Sequence, residues 1–176
     1  MKRTIKSLRG LNEGIGRAVA WLTLAMVLVT FAVVVARYAF DLGSIAVQES
    51  ITYMHALVFM LGAAYTLKHD GHVRVDIFYR KMGPRARAWT DLLGALLLLA
   101  PMCLFILWSG WDYVAASWSF RESSPEAGGL PWVYLLKTAI PLMAVLLLLQ
   151  GLAQALESVL SLREPHAAER TEGEER

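Results

Sequence analysis

Four stretches of the chain, 18–36, 50–67, 92–111 and 138–156, run for 18 to 20 positions without a charged residue. A helix rises 1.5 Å per residue, so about 20 residues cross a ~30 Å hydrocarbon core. Each stretch is long enough once its polar ends reach the headgroups. Buried helices of a water-soluble protein would need amphipathic helices around them, and this sequence offers almost none. Hydrophobic residues make up 56% of the 176 positions and charged residues 18%. A soluble domain of this size cannot hide that much apolar surface. An ordinary cytosolic enzyme, a disordered chain and a nucleic-acid binder are thereby excluded. The expected fold is an all-α integral membrane protein with four transmembrane helices, at about 15–38, 47–68, 88–113 and 132–160. Residues 1–162 form a single membrane domain, and 163–176 a polar, disordered tail.

Lysine and arginine set the expected orientation. Five precede the first span, six lie between the second and third, and three follow the fourth. The two remaining loop regions hold Arg37, and Arg121 with Lys137. Fourteen against three places both termini and the middle loop in the cytoplasm. The first span is retained and not cleaved as a signal peptide, because its apolar run is too long and ends in Arg37-Tyr38-Ala39-Phe40. Trp108, Trp111, Tyr113, Trp132 and Tyr134 fall where outer-interface anchors belong, and Trp21, Tyr65 and Trp89 near the inner interface. Residues 1–11 are basic and are expected along anionic headgroups. Asp41-Leu42-Gly43-Ser44 reads as a tight outer turn. Pro101 and Pro141 fall inside the third and fourth spans and are expected to kink them, with local backbone adjustment.

Polar residues inside a membrane are costly and often functional, which makes their short inventory informative. His55 sits mid-span on a face with Thr52, Phe59 and Gly62. That face is expected to pack on another helix, with the imidazole bonded to a neighbouring carbonyl or hydroxyl; proton relay is the sharper alternative. Lys137 either snorkels to headgroups or pairs with Asp112 or with a larger partner. Arg37 and Glu49 flank the first outer turn and are placed to pair across it. Gln150 and Gln154 suit hydrogen bonds between helices. Cys103, the single cysteine, excludes a disulfide framework. Haem would want a second core histidine, and a stand-alone carrier would want a carboxylate within a span. No enzyme active site, cofactor or metal is expected. The middle loop, His69-Asp70-Gly71-His72-Val73-Arg74-Val75-Asp76-Ile77-Phe78-Tyr79-Arg80-Lys81-Met82, reads as a short amphipathic piece at the interface. His72, Arg74 and Asp76 are candidates to hold a protein partner there, with Asp76 within one helical turn of Arg80.

At this loop the sequence resembles the DctQ-type small permease subunit of TRAP (tripartite ATP-independent periplasmic) transporters. The resemblance rests on Leu61-Gly62-Ala63-Ala64-Tyr65-Thr66-Leu67-Lys68 closing the second span and on the His-hydrophobic-x-Val-Asp pattern at 72–76. Arg37-Tyr38, Glu49, Gly128-Gly129-Leu130-Pro131, Lys137, Ile140-Pro141 and Leu149-Gln150-Gly151 also match. Where many members carry Trp and two acidic residues before the second span, this chain has Ala46-Val47-Gln48-Glu49. The resemblance implies a multi-pass subunit of the bacterial inner membrane that scaffolds a large permease subunit. That subunit would drive sodium-coupled uptake of an organic acid delivered by a periplasmic binding protein. Lipids are the other expected partner, and nucleic acid is not one. A membrane anchor of a redox complex and a stand-alone four-helix carrier are the alternatives.

Overall fold

The computed structural model describes residues 2–72 and 76–163, with Lys2 and Asp76 in backbone only. Every regular element among them is helical: α1 (Lys2–Phe40), α2 (Ile45–Lys68), α3 (Asp76–Tyr79), α4 (Pro84–Gly94), α5 (Ala100–Ser119) and α6 (Val133–Arg163). A π turn at Ala95–Leu99 joins α4 to α5, so that Pro84–Ser119 is one span. With α1, α2 and α6 this gives four helices long and apolar enough to cross a membrane. The run Val33-Val34-Val35 lies inside α1 despite its β-branched side chains. Hydrocarbon offers backbone groups no partner outside the helix, and that outweighs a propensity of a few tenths of a kcal/mol.

The helix ends are set by backbone geometry. Asp41, Asp70 and Arg121 follow α1, α2 and α5 with φ of 53°, 53° and 48°. After α2, Gly71 N–H reaches back to Thr66 O at 2.9 Å, and after α5, Glu122 N–H reaches Ser117 O at 3.0 Å. Both are left-handed caps that satisfy carbonyls orphaned at the helix end. After α2 the left-handed residue is Asp70, and Gly71 follows it. Gly83 precedes α4 and Pro84 opens it, where a missing N–H costs nothing.

Pro101 acts through the π turn. It has no N–H for the carbonyl of Leu97 and its ring crowds that carbonyl, so the preceding turn widens. Ala100 N–H accordingly reaches back five residues to Ala95 O. Leu99, on the widened turn, lies against Gly151 of α6, where an added Cβ would sit 2.6 Å from Leu99 Cδ2.

α6 is the hub. It packs against α1, α2, α4 and α5, while α1 and α2 form an antiparallel pair on one flank. Its buried positions are mostly small: Ala139, Ala144, Gly151, Ala153, Ala155 and Ser158. Small residues let helix backbones approach where lipid supplies no hydrophobic drive. Outward, Phe31, Leu98 and Trp108 are among many large apolar side chains left exposed. In water that surface would aggregate; in a bilayer it is solvated.

α1 begins far earlier than the expected 15. Its 39 residues span ~58 Å, well beyond the hydrocarbon. Residues 2–17 project past the apolar run and dock, through Ile5 and Asn12, on the rest of the chain. From Lys2 on, the basic N-terminal segment is part of this helix. The expected disordered tail lies outside the described residues, apart from Arg163.

Candidate functional site

Polar side chains collect at the two ends of the bundle. We call the end holding the start of α1 and the finish of α6 the terminal end. At the opposite end, the loop 120–132 folds back over α2. Glu49, one turn into α2, accepts hydrogen bonds from Leu130 N–H at 2.6 Å and from the Ser124 hydroxyl. The loop closes on itself through Ser124 N–H to Leu130 O, 3.0 Å, and Gly129 N–H to Glu126 O, 3.0 Å. Two glycines make this possible for different reasons. Gly128 holds φ at 81°, a conformation costly for residues with a Cβ. At Gly129 a Cβ would lie 2.5 Å from Ser124 Oγ and 2.8 Å from Glu49 Oε1, so the carboxylate sits where a side chain would be.

Lys137 of α6 completes this cluster. Its ammonium meets the carboxylate of Glu122 and lies 4.0 Å from the centre of the Tyr113 ring. Both members are largely covered, with side chains 15% and 27% exposed. The Lys137 ammonium beside it lowers the pKa of Glu122 below the usual carboxylate range. Trp118 Nε1–H donates to Thr138 Oγ1 at 2.8 Å and its ring meets Tyr134 edge-on, which ties α5 to α6 next to the pair.

Two expectations are corrected here. Lys137 neither snorkels nor pairs with Asp112; the loop that follows α5 brings Glu122 to it. Glu49 does not pair with Arg37, because the loop fills both of its oxygens, and Arg37 stands exposed with no ion pair among the described residues.

At the terminal end Glu13 of α1 is the centre. Lys68 Nζ lies 2.5 Å from Glu13 Oε2, Arg17 Nε 2.8 Å from Oε1, and His69 Nε2 3.3 Å from Oε2. Beside it Asn12 donates to Gln150 Oε1 at 3.1 Å with both residues buried, and Arg9 meets Glu157 at 2.9 Å. Gln154 Nε2–H donates to Leu67 O at 3.2 Å. The two glutamines do join helices, and Gln150 does so through an α1 residue that the sequence reading passed over. Tyr65 closes the contact by lying on Gly16, where a Cβ would be 2.3 Å from the ring.

The middle loop runs beside this cluster. His72 is exposed, Arg74 lies outside the described residues, and Asp76 opens α3. The suggested Asp76–Arg80 pairing falls on a side chain outside the described ones. Tyr79 OH donates to Asp91 Oδ2 at 2.7 Å, and Arg87 donates to the carbonyls of Tyr79 and Arg80, so the loop is tied to α4. Ile77 and Phe78 point outward, 67% and 72% exposed. A cleft of about 820 Å³ opens between this loop and α6, and Arg9, Lys68, Arg87, Asp70, Asp91 and Glu157 give its rim both signs of charge.

Among the described residues no three His, Cys, Asp or Glu side chains converge to hold a metal. Charge lies at the ends, where it fastens helices and loops, while the middle of each span is apolar apart from a few hydroxyls, His55 and Gln150. Such an arrangement is that of a multi-pass membrane subunit. The chain belongs to the family described as tripartite ATP-independent periplasmic transporters, DctQ component, which it matches over residues 26–161. That family is a transporter component and not an enzyme, and with the four apolar helices it supports a multi-pass protein of the inner membrane. Among relatives, it is 32% identical over 89 residues to the C4-dicarboxylate TRAP transporter small permease protein DctQ of Vibrio cholerae serotype O1. That match covers 51% of this chain and 38% of the relative. No solved structure matches.

Proposed function

We propose that this chain scaffolds a large TRAP permease subunit, which takes up an organic acid with sodium from a periplasmic binding protein. In this reading the terminal end is cytoplasmic and the loop 120–132 is periplasmic. The observation that carries the reading is the distribution of charge. The uncharged stretches of all four spans lack a carboxylate to bind sodium or a proton, and the charged side chains instead brace the two ends. A rigid, catalytically empty unit is what a static scaffold requires. The organic-acid class is supported by the C4-dicarboxylate name of the relative, and the orientation by the fourteen-to-three split of Lys and Arg. Glu49 and Lys137 then hold the periplasmic loop in shape. Arg37, exposed in the last turn of α1, and His72, Arg74 and Asp76 at the cytoplasmic face are assigned to contacts with the partner subunits.

Reconstitution tests this. Liposomes holding the small subunit alone should show no sodium-driven uptake of succinate or related acids. With the large subunit and the binding protein added, uptake should appear. Uptake by the small subunit alone would overturn the scaffold reading.

A further inference from the structure

Thr52, His55, Phe59 and Gly62 recur at helical spacing on one side of α2. The sequence places them against another helix, yet the fold turns them away from the chain. Thr52, His55 and Phe59 are exposed, and an added Cβ at Gly62 would meet nothing within 4 Å. The opposite side of α2 is the packed one, with Ala64 buried.

His55 makes this exposure consequential. Counting from Ile45 and Lys68, it lies roughly 15 Å from one end of α2 and 20 Å from the other, at mid-membrane depth. Its imidazole touches the Phe59 ring, at 5.3 Å between centroids, and among the described residues it has no hydrogen bond or ion pair. An imidazole always carries an N–H donor and, when neutral, an N acceptor. Hydrocarbon satisfies neither, and at this depth a histidine is too short to reach headgroups. α2 is also the least apolar of the four spans. A lipid-facing role fits neither observation.

We propose that this face of α2 is the seat of a transmembrane helix of the large permease subunit. That helix presents to His55 a hydroxyl, a side-chain amide or a carbonyl freed at a helix break. Gly62 leaves room for its backbone, while Phe59 supplies apolar contact beside the polar bond. The inference rests on the assembly reading above and adds the surface by which assembly occurs.

The test uses the co-expressed complex. Benzoylphenylalanine placed at position 59 should crosslink to the large subunit at least ten times more than the same group at position 98, which is 74% exposed on the π turn. His55→Leu should lower the large subunit recovered with the small one about threefold, without changing the stability of the small subunit alone; His55→Gln should retain it. Crosslinks from position 59 only to lipid or to a second copy of this chain would overturn the proposal. So would equal yields from 59 and 98, or full recovery with His55→Leu. If the wild-type pair never co-purifies, the assembly reading falls and this inference with it. If the pair forms but crosslinks from 98 alone, only this face is wrong.

Discussion

The contact of Tyr65 with Gly16 allows one substitution to be predicted with opposite signs two residues apart. An alanine Cβ at position 16 would lie 2.3 Å from Tyr65 Cγ and 2.5 Å from Tyr65 Cβ. The second atom belongs to the fixed base of the side chain, so rotating the ring cannot relieve the clash. The ring is also confined by His69, 4.2 Å away between centroids. α1 and α2 must therefore separate, which also strains the Glu13–Lys68 contact one turn away. Overpacking of this kind costs about 1–3 kcal/mol, and the immovable Cβ argues for the upper value. Alanine gives back about 1 kcal/mol of helix propensity. Gly16→Ala should then destabilise by about 2 kcal/mol. At Gly14 a Cβ meets nothing within 4 Å, so Gly14→Ala should stabilise by up to about 1 kcal/mol. In thermal unfolding of the detergent-solubilised subunit, Gly16→Ala should melt roughly 4–8 °C lower, and Gly14→Ala no lower than wild type. Adding Gly16→Ala to Tyr65→Gly should cost nothing further, since the ring and the Cβ that clash are both gone. Equal melting of Gly16→Ala and Gly14→Ala, or additive losses in the double variant, would refute the packing argument.

Three further outcomes follow from the other end and from the topology. Glu49→Gln keeps the shape but not the charge that accepts two bonds, and Gly129→Ala fills the space of the carboxylate. Both should release the loop 120–132, read as faster cleavage by a protease added to sealed, outward-facing vesicles, while Glu126→Gln should leave it resistant. Glu122 titrates below the usual carboxylate value because of Lys137, so its stabilising effect is present above the ordinary pKa of about 4.3 and disappears as pH falls through the lowered value. Melting temperature should drop across that acidic window in wild type and drop less in Glu122→Gln; identical profiles would sink the pairing argument. Cysteines at positions 43 and 127 should react with an impermeant reagent from outside, and cysteines at 71 and 170 should not; reaction at 71 would reverse the orientation.

The spans were legible because the reason for them is local. Each uncharged stretch must satisfy its own backbone in hydrocarbon, and a helix is the way a single segment does so. The π turn was half legible: Pro101 announced an adjustment, but a kink and a widened turn answer the same missing N–H. The N-terminal extension was misjudged because its charges drew attention from its packing face. Ile5, Asn12 and Val19, seven apart and all buried, were the available signal. The ends of the bundle were the least legible part. Glu49 finds its partners 75 and 81 residues away, and Asn12 its partner 138 residues away. No periodicity encodes such separations. The charge pattern put Glu49 beside an outer turn without saying which residues it would meet, and it gave Asn12 no place.

The same physics separates His55 from the other polar residues of the spans. Thr30, Ser109 and Thr138 each donate to the carbonyl four residues earlier, so their hydroxyls are satisfied within their own helix and cost little wherever they face. Gln150 and Gln154 are longer and reach neighbouring helices. The imidazole of His55 takes neither route: among the described residues it bonds no carbonyl of the preceding turn, and α2 turns it away from the chain's own helices. At position 69 the same side chain does find a carbonyl four residues back, Tyr65 O at 3.0 Å, but there the helix is ending and the ring lies at the polar end of the bundle. The contrast between the histidine within α2 and the one that caps it is what makes the exposed face of α2 the point where the chain is incomplete by itself.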